Sequence, residues 1–352
     1  MDSSESSSES VFVGCYTKGH GGDGVGVLLV RRDPTTGALG PVRNQVTTPA
    51  PSFVVLHPTL PVLYAVHELD EGEVSAFALE PGGDLRPLSG PRPSGGSYPC
   101  HAAVDPDGRH LMVANYGSGS VAAIELDSGG ALGALHVSQH SGQGQDPHRQ
   151  KGPHAHMAVA NEGAVLAVDL GTDTLYRHPF DEATGRLLDG EVLVQFPPGT
   201  GPRHLARDRM GRLHVCGELS ASVTTLEPGD GGWKVSAVVP STTAGSAQPS
   251  GIVVSDDGRF LYVANRGTDT IAVFALDGER PRIVGEVSCG GSWPRDIVQI
   301  GQFLYAANER SNTVVVFRLD PATGQPQPTG DVLATPSPTC VRPWPARQEG
   351  TT

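Results

Sequence analysis

The stretch PCHAAVDPDGRHLMVANYGSGSVAAIELDSGGAL (99–132) decides the architecture. It opens on a short apolar strand, turns at Asp105-Pro106-Asp107-Gly108 and runs back through HLMVAN. A Gly/Ser loop follows, then a third strand (VAAIEL) and an acidic, glycine-bearing turn that leads to a fourth. β-Branched residues and short alternation, with no sustained helical period, mark these segments as strands. QPSGIVVSDDGRFLYVANRGTDTIAVFALDGERPRI (248–283) repeats the unit almost element for element, and WPRDIVQIGQFLYAANERSNTVVVFRLDPATG (293–324) does so again.

Outward from these three units the period holds along the chain. The prolines that open each unit are Pro51, Pro99, Pro153, Pro202, Pro249, Pro294 and Pro338, at intervals of 48, 54, 49, 47, 45 and 44 residues. The turn after the third strand counts independently: RRDPTTGAL, ALEPGGDL, ELDSGGAL, PFDEATGRL, TLEPGDGGW, ALDGERPRI and RLDPATG. Both counts reach seven. A period of this length is the mark of a propeller blade. VFVGCYT from Val11 reads as a second strand, GVGVLLVRRD as a third and GALGPVRNQV as a fourth, so the missing first strand must come from PTCVRP (338–343). The expected fold is all-β, a seven-bladed β-propeller of four-stranded blades. Its ring is closed by one blade shared between the N- and C-terminal segments, which removes exposed sheet edges. The expected division is a disordered tail over 1–10, one propeller domain over 11–343 and a second tail over 344–352.

Composition narrows the partners. With 25 Lys and Arg against 38 Asp and Glu the chain carries −13, which argues against nucleic acid and against an anionic membrane. No eighteen apolar residues run together, and no apolar segment follows the polar MDSSESSSES start as a secretion signal requires. Cys15, Cys100, Cys216, Cys289 and Cys340 are odd in number and show no C-x-x-C pairing, which suits reduced thiols and a cytoplasmic protein.

Strand parity sorts the remaining polar residues by face. The start of the first strand and the exit of the second lie on one face, and the D-G turns lie on the other. His101, His154, His156, Arg203, His204 and Arg295 fall at first-strand starts. Lys18, His20, Glu68, Tyr116, Asp169, Glu218, Arg266, Glu309 and Arg310 fall at second-strand exits. Cations and imidazoles therefore meet carboxylates at one mouth, the parts needed to hold an anion and move a proton. Bland readings stand beside this one. Asn115, Asn265 and Asn308 are expected to cap their own turns. Asp105, Asp107, Asp256 and Asp257 are expected to brace the opposite-face turns, and each arginine has a blade-to-blade ion pair as its alternative. His154 and His156 have the spacing of a metal pair, but no Cys or third His lies near them in sequence. Oxygen ligation of Ca²⁺ by Glu68, Asn115, Glu218 and Asn265 is the other metal alternative. The expectation is no metal and no cofactor. There is no G-x-S-x-G elbow, no P-loop and no helix-opening G-x-G-x-x-G.

GPHAH (152–156), VDLGTDTLY (168–176), GPRHLA (201–206), LHVCGEL (213–219), LYVANRGTDTIAVF (261–274) and WPRD (293–296) resemble the lactonase family of seven-bladed propellers. That family includes propeller-type 6-phosphogluconolactonases and fungal carboxymuconate lactonising enzymes, and the likeness spans 11–343. The resemblance implies His154, Arg203, Glu218 and either Arg266 or Arg295 as the catalytic set. His101, His156, His204, Arg295, Glu68 and Glu309 are the expected substrate-binding residues around it. It further implies metal-independent hydrolysis of an anionic sugar- or acid-derived lactone, with His154 or Glu218 as general base and arginines holding the anion. Two alternatives accompany it: a lactone-forming cycloisomerase or cyclase, and a non-catalytic propeller that binds a ligand or protein. Two departures set this chain apart. The third blade has ANEGAVL in place of its D-G turn, and QHSGQGQDPHRQK (139–151) is an insertion that brings His148, Arg149 and Lys151 beside the pocket.

Overall fold

The computed structural model describes residues 9–344 except 82, 182, 183, 185, 230 and 231. Seven antiparallel sheets are present, and their first strands contact one another in cyclic order. Those strands, Pro51–Leu56, Pro99–Val104, Ala155–Asn161, Pro202–Arg207, Gln248–Val254, Pro294–Ile300 and Pro338–Trp344, define blades 1 to 7. Blade 7 takes its first strand from Pro338–Trp344 and its others from Glu9–Cys15, Gly26–Arg32 and Leu39–Thr47, the closure expected from the repeat. In blade 1 the outer position is split between Leu85–Pro87 and Arg92–Pro93, which both pair with Glu73–Leu79. Among the described residues no helix is long and apolar enough to cross a membrane.

Burial follows position in the blade. Second strands such as Val62–His67 and Phe303–Asn308 are buried throughout, because neighbouring blades cover both their faces. Outer strands such as Pro326–Ala334 alternate between half-buried and exposed, the period of a sheet wet on one side. The core is accordingly a set of layers between blades. Tyr262, Ile271 and Val273 of blade 5 pack on Leu304 and Phe317 of blade 6, and Val11, Val13 and Val30 of blade 7 pack on Tyr305, Val314 and Val316.

Two recurring contacts bolt these layers. The tyrosine of the L-Y-V-A-N strand donates to the carbonyl of the glycine in the following blade's third turn. Tyr64 bonds Gly130 O at 2.8 Å, Tyr262 bonds Gly324 O at 2.9 Å and Tyr305 bonds Gly37 O at 2.8 Å. The asparagine of the same strand reaches the other way. Asn115 Nδ2 donates to Ser94 O at 3.1 Å, Asn265 Nδ2 to Ser241 O at 2.9 Å and Asn308 Nδ2 to Cys289 O at 3.1 Å, each acceptor lying where the chain leaves the preceding blade. Turn capping, the role expected for them, is therefore not their main work, although Asn115 also donates to Ser120 Oγ at 3.2 Å.

Other differences from expectation are small and local. The prolines mark the first paired residue in most blades, but in blade 3 the equivalent of Pro51 and Pro99 is Ala155, which pairs with Asp169. Pro153 lies two residues ahead of it, displaced by the insertion. Glu9, Ser10 and Trp344 belong to strands, and the rest of both expected tails lies outside the described residues. The opposite-face turns are structural as expected. Gly108 and Gly258 adopt φ of 70° and 74°, and Asp105 and Asp257 accept the Arg109 and Arg259 amides at 2.6 and 3.0 Å.

Candidate functional site

One irregularity, repeated in every blade, builds the site. Near its start each first strand slips register against the second strand, after the first paired residue in six blades and after the second, Pro249, in blade 5. The residue left at the slip is Ser52, Cys100, His156, Arg203, Arg295 or Thr339 in blades 1 to 4, 6 and 7, and Ser250 with Gly251 in blade 5. A bulge of this kind kinks the strand and re-aims a side chain. Where the bulged residue is small its hydroxyl ties down the next blade. Ser52, Ser250 and Thr339 donate to Pro99 O, Pro294 O and Pro51 O at 2.9, 2.5 and 2.9 Å. Where it is large, at His156, Arg203 and Arg295, it meets residues that leave the second strands. The registers of Pro202 with Gly217 and Gln248 with Arg266 bring those exits onto the same face, as parity required.

Glu218 is the centre. It is 3 % exposed and touches three guanidiniums. Arg266 Nη2 donates to Oε2 at 2.6 Å, Arg149 Nη2 donates to Oε1 at 2.7 Å, and Arg203 Nε stands 3.2 Å from Oε2. The Arg203 contact is close enough for an ion pair yet too poorly aligned for a hydrogen bond, so this buried N–H is unsatisfied among the described residues. Burial alone would raise the Glu218 carboxyl, but Arg266 and Arg203, with Arg149 adding to them, hold it well below the usual carboxylate range. Burial, against the pull of Glu218, brings Arg266 down to about 10.

A chain of rings runs from this centre into the propeller. Tyr116 Oη accepts from Arg149 Nη2 at 3.2 Å, and its ring stacks on His154 at 4.5 Å and meets His156 edge-on at 5.5 Å. His156 contacts His204 at 5.3 Å, His204 contacts His101 at 5.5 Å, and His101 leans on Phe53 at 4.4 Å. Burial, with Arg342 and Arg203 adding to it, pushes His101 down to about 3, and burial followed by Arg203 pushes His156 and His204 down as well. All three imidazoles are neutral at physiological pH. His154 differs: it is half-buried, and its Nδ1 lies 2.8 Å from Tyr116 O. A carbonyl accepts only, so Nδ1 carries the proton and Nε2 is the acceptor nitrogen.

Arg295, Glu68 and Glu309 do not join the Glu218 group. They form a second cluster in which Arg295 Nη1 donates to Glu309 Oε2 at 3.1 Å and Nη2 stands 4.0 Å from Glu68 Oε2. Tyr16 completes it, donating to Glu68 Oε2 at 2.5 Å beneath the Arg295 guanidinium. Of the two arginines left open by sequence, Arg266 is the one that shares a carboxylate with Arg203.

The matching residues extend over almost the whole structure. The family described as lactonase, 7-bladed beta-propeller, matches residues 10–343. The chain belongs to the lactonase family. Its relatives include the 6-phosphogluconolactonase of Bacillus subtilis, 36 % identical over 82 % of this chain and 84 % of that protein. Among solved structures, the periplasmic gluconolactonase of Pseudomonas aeruginosa superposes with a TM-score of 0.86 at 28 % identity, covering 96 % of this chain and 99 % of the other. A protein from Lactobacillus plantarum gives 0.87 at 27 % identity, with 96 % and 100 % covered. The lactonase is thus an enzyme similar to 6-phosphogluconolactonase.

Three features of this lactonase's site escape a reading by sequence alone. The insertion brings Arg149 beside the pocket as expected, but it lies 69 positions from Glu218, so nothing local announces their contact. The bulge adds a single residue to a strand, too small a signal to separate from loop variation. The G-T-D-T motif was visible as likeness, but its work was not. Asp173 and Asp269 sit at φ of 53° and 55°. Asp173 accepts the Gly199 and Gly201 amides at 2.7 Å each, just ahead of Arg203, and Asp269 accepts the Trp293 amide at 2.8 Å, just ahead of Arg295. Each motif therefore fixes the loop that delivers the next blade's arginine. Asp169 does the same for blade 3, accepting the His154 amide at 2.8 Å while His140 Nδ1 holds its other oxygen at 2.6 Å. Grooves elsewhere, such as the 690 Å³ hollow lined by Asp105, His110, Asn161 and Phe180, involve the opposite-face turns and none of these residues.

Proposed function

We propose that this lactonase opens the ring of a sugar-acid lactone bearing an anionic group, 6-phosphogluconolactone foremost, at the mouth around Glu218. The observation that carries the reading is the surplus of cationic donors there. One carboxylate holds three guanidiniums, and the buried Arg203 Nε–H has no acceptor among the described residues. Unspent buried donors and uncompensated buried charge are costly, and an anionic ligand offsets both. Phosphate and carboxylate suit the arginine fork because they accept paired, charge-assisted hydrogen bonds. The name of the Bacillus relative points to the same substrate class.

In this reading His154 is the base. A water at Nε2 gives up its proton as its oxygen bonds to the lactone carbonyl carbon, and a guanidinium offsets the charge that develops on the carbonyl oxygen. The ring C–O bond then breaks, and the proton held by His154 passes to the departing ring oxygen. The product is the open hydroxy acid, and the imidazole is neutral again. Glu218 serves differently, because a carboxylate held so far down is a weak base. It keeps three arginines converged. His101, His156 and His204 line the mouth as neutral imidazoles, and the Arg295, Glu68 and Glu309 cluster binds the polyol end of the substrate.

The reaction is proposed to run without a metal, since a cation entering here meets three arginines around a carboxylate already in use. A cytoplasmic site of action is proposed on the five cysteines, all buried and unpaired. A pH-stat assay tests the reading. Acid release from 6-phosphogluconolactone above the spontaneous rate, undiminished by EDTA, is expected; no enzymatic release from this or simpler lactones would overturn it.

A further inference from the structure

We propose that Arg149 selects phosphorylated lactones over neutral ones and that the inserted segment 139–151 serves to present it. The assignment rests on the lactonase reading above and goes one step further, to a residue that makes the choice among lactones.

The segment is built rather than slack. Gln150 is fully buried, donating through Nε2 to Leu170 O at 2.8 Å and accepting the Asp146 amide at 3.0 Å. Asp146 in turn accepts the His148 and Arg149 amides at 2.8 and 3.0 Å, and Gln145 donates to Pro198 O at 3.0 Å. His140, at the base of the segment, is locked to the buried Asp169. The backbone that carries Arg149 is thus anchored on blade 3 and on the loop that leads from it into blade 4.

The guanidinium it carries is unlike its two companions. The Arg149 side chain is 38 % exposed, against 4 % for Arg203 and 7 % for Arg266. Nη2 makes both of its hydrogen bonds, to Glu218 and Tyr116, while Nη1 and Nε make none among the described residues. Arg203 and Arg266 already supply two positive charges to the single charge of Glu218. The third arginine is the one held least and the one an arriving anion meets first. A phosphate dianion can accept a charge-assisted hydrogen bond from one of these free N–H groups, on Nη1 or Nε, while the buried pair stays on Glu218. A neutral lactone has no group to make that contact and little to lose without it.

Arg149→Gln removes the charge and keeps the length. With 6-phosphogluconolactone, kcat/KM is expected to fall about 10- to 100-fold, chiefly through KM, the loss of a charged hydrogen-bonded contact. With unphosphorylated gluconolactone the fall should be about fivefold at most, the worth of a solvent-exposed ion pair. Inorganic phosphate, as a competitive inhibitor of gluconolactone hydrolysis, should weaken in parallel with the first loss, and Arg149→Lys should recover part of it. Equal losses on both lactones would make Arg149 a prop for Glu218 and Tyr116 and overturn the proposal. A wild-type enzyme that prefers gluconolactone would also overturn it while leaving the lactonase reading intact. Turnover of neither lactone would sink both.

Discussion

Glu218 and His154 both present themselves in the sequence as proton carriers, and their surroundings separate them. Glu218 is the hub of an ion cluster, so its loss leaves three guanidiniums with no shared partner. Glu218→Gln is expected to cost about 3–5 kcal/mol in denaturant unfolding, the usual penalty for uncoupling a buried charge, and to raise KM as the arginines part. His154→Ala leaves that cluster whole. Its kcat should fall about 10²- to 10⁴-fold with KM little changed. A wild-type kcat that stays level down to about pH 4 would name Glu218 as the base instead, since its arginines keep it ionised there. Residue type and face were legible from the repeat because parity is a property of strands. The identity of partners was not, because blade 4 supplies Arg203 and Glu218, blade 5 supplies Arg266 and the insertion ahead of blade 3 supplies Arg149, and these three parts meet only when the blades pack.

At the scale of elements, the bulge and the G-T-D-T turn form a pair, one aiming a side chain and the other holding the loop before it. Asp173 is a positioning residue for Arg203. Asp173→Ala should free the 199–201 loop and lower kcat/KM about 10- to 100-fold, as small displacements of binding groups do. In an Arg203→Ala background the same change should cost almost nothing more, because the two act in series. Additive losses would show that Asp173 works by another route. Gly171 makes the companion test. A Cβ there would run into Gly152 O and stand 2.8 Å from the His154 amide, so Gly171→Ala should displace the His154 loop and lower kcat. The strands themselves were readable because second strands are apolar throughout and third turns carry an acid and a glycine. In blade 3 the opening proline lies two residues ahead of the first paired residue, Ala155, because the insertion shifts the start of the strand.

Across the whole molecule two properties emerge that no blade has alone. The first is acid lability. Burial pushes His67 down to about 4 and His178 to about 3, alongside His101 at about 3. A histidine whose folded pKa lies below its ordinary 6.5 stabilises the fold fully above 6.5, and that contribution drains away as the pH falls toward the folded value. Tm should therefore be level from about pH 8 to 7 and decline steadily from about 6.5 to 4. Glu218, also depressed, adds its own loss only from about 4.3 downward. A flat Tm down to about pH 4 would contradict the burial of these rings. The second property is the seam. Gly14 packs where a Cβ would stand 2.9 Å from Thr339 Oγ1 and 3.0 Å from Pro51 O, so Gly14→Val should wedge blade 7 from within at about 1–3 kcal/mol. Removal of everything after Ser337 should lower Tm far more. An unchanged Tm in the truncated protein would refute the shared blade.

The seam also orders events in time. During synthesis Glu9–Cys15 leaves the ribosome before the other described strands, and the strand that pairs its inner edge, Pro338–Trp344, is made after all of them. Six blades are translated while the apolar edge of the seventh waits uncovered, open to the chain's own later strands or to those of a neighbouring nascent chain. Slowing translation should therefore raise the yield of aggregates rather than lower it, the reverse of what is expected for a chain whose N-terminal unit closes on itself.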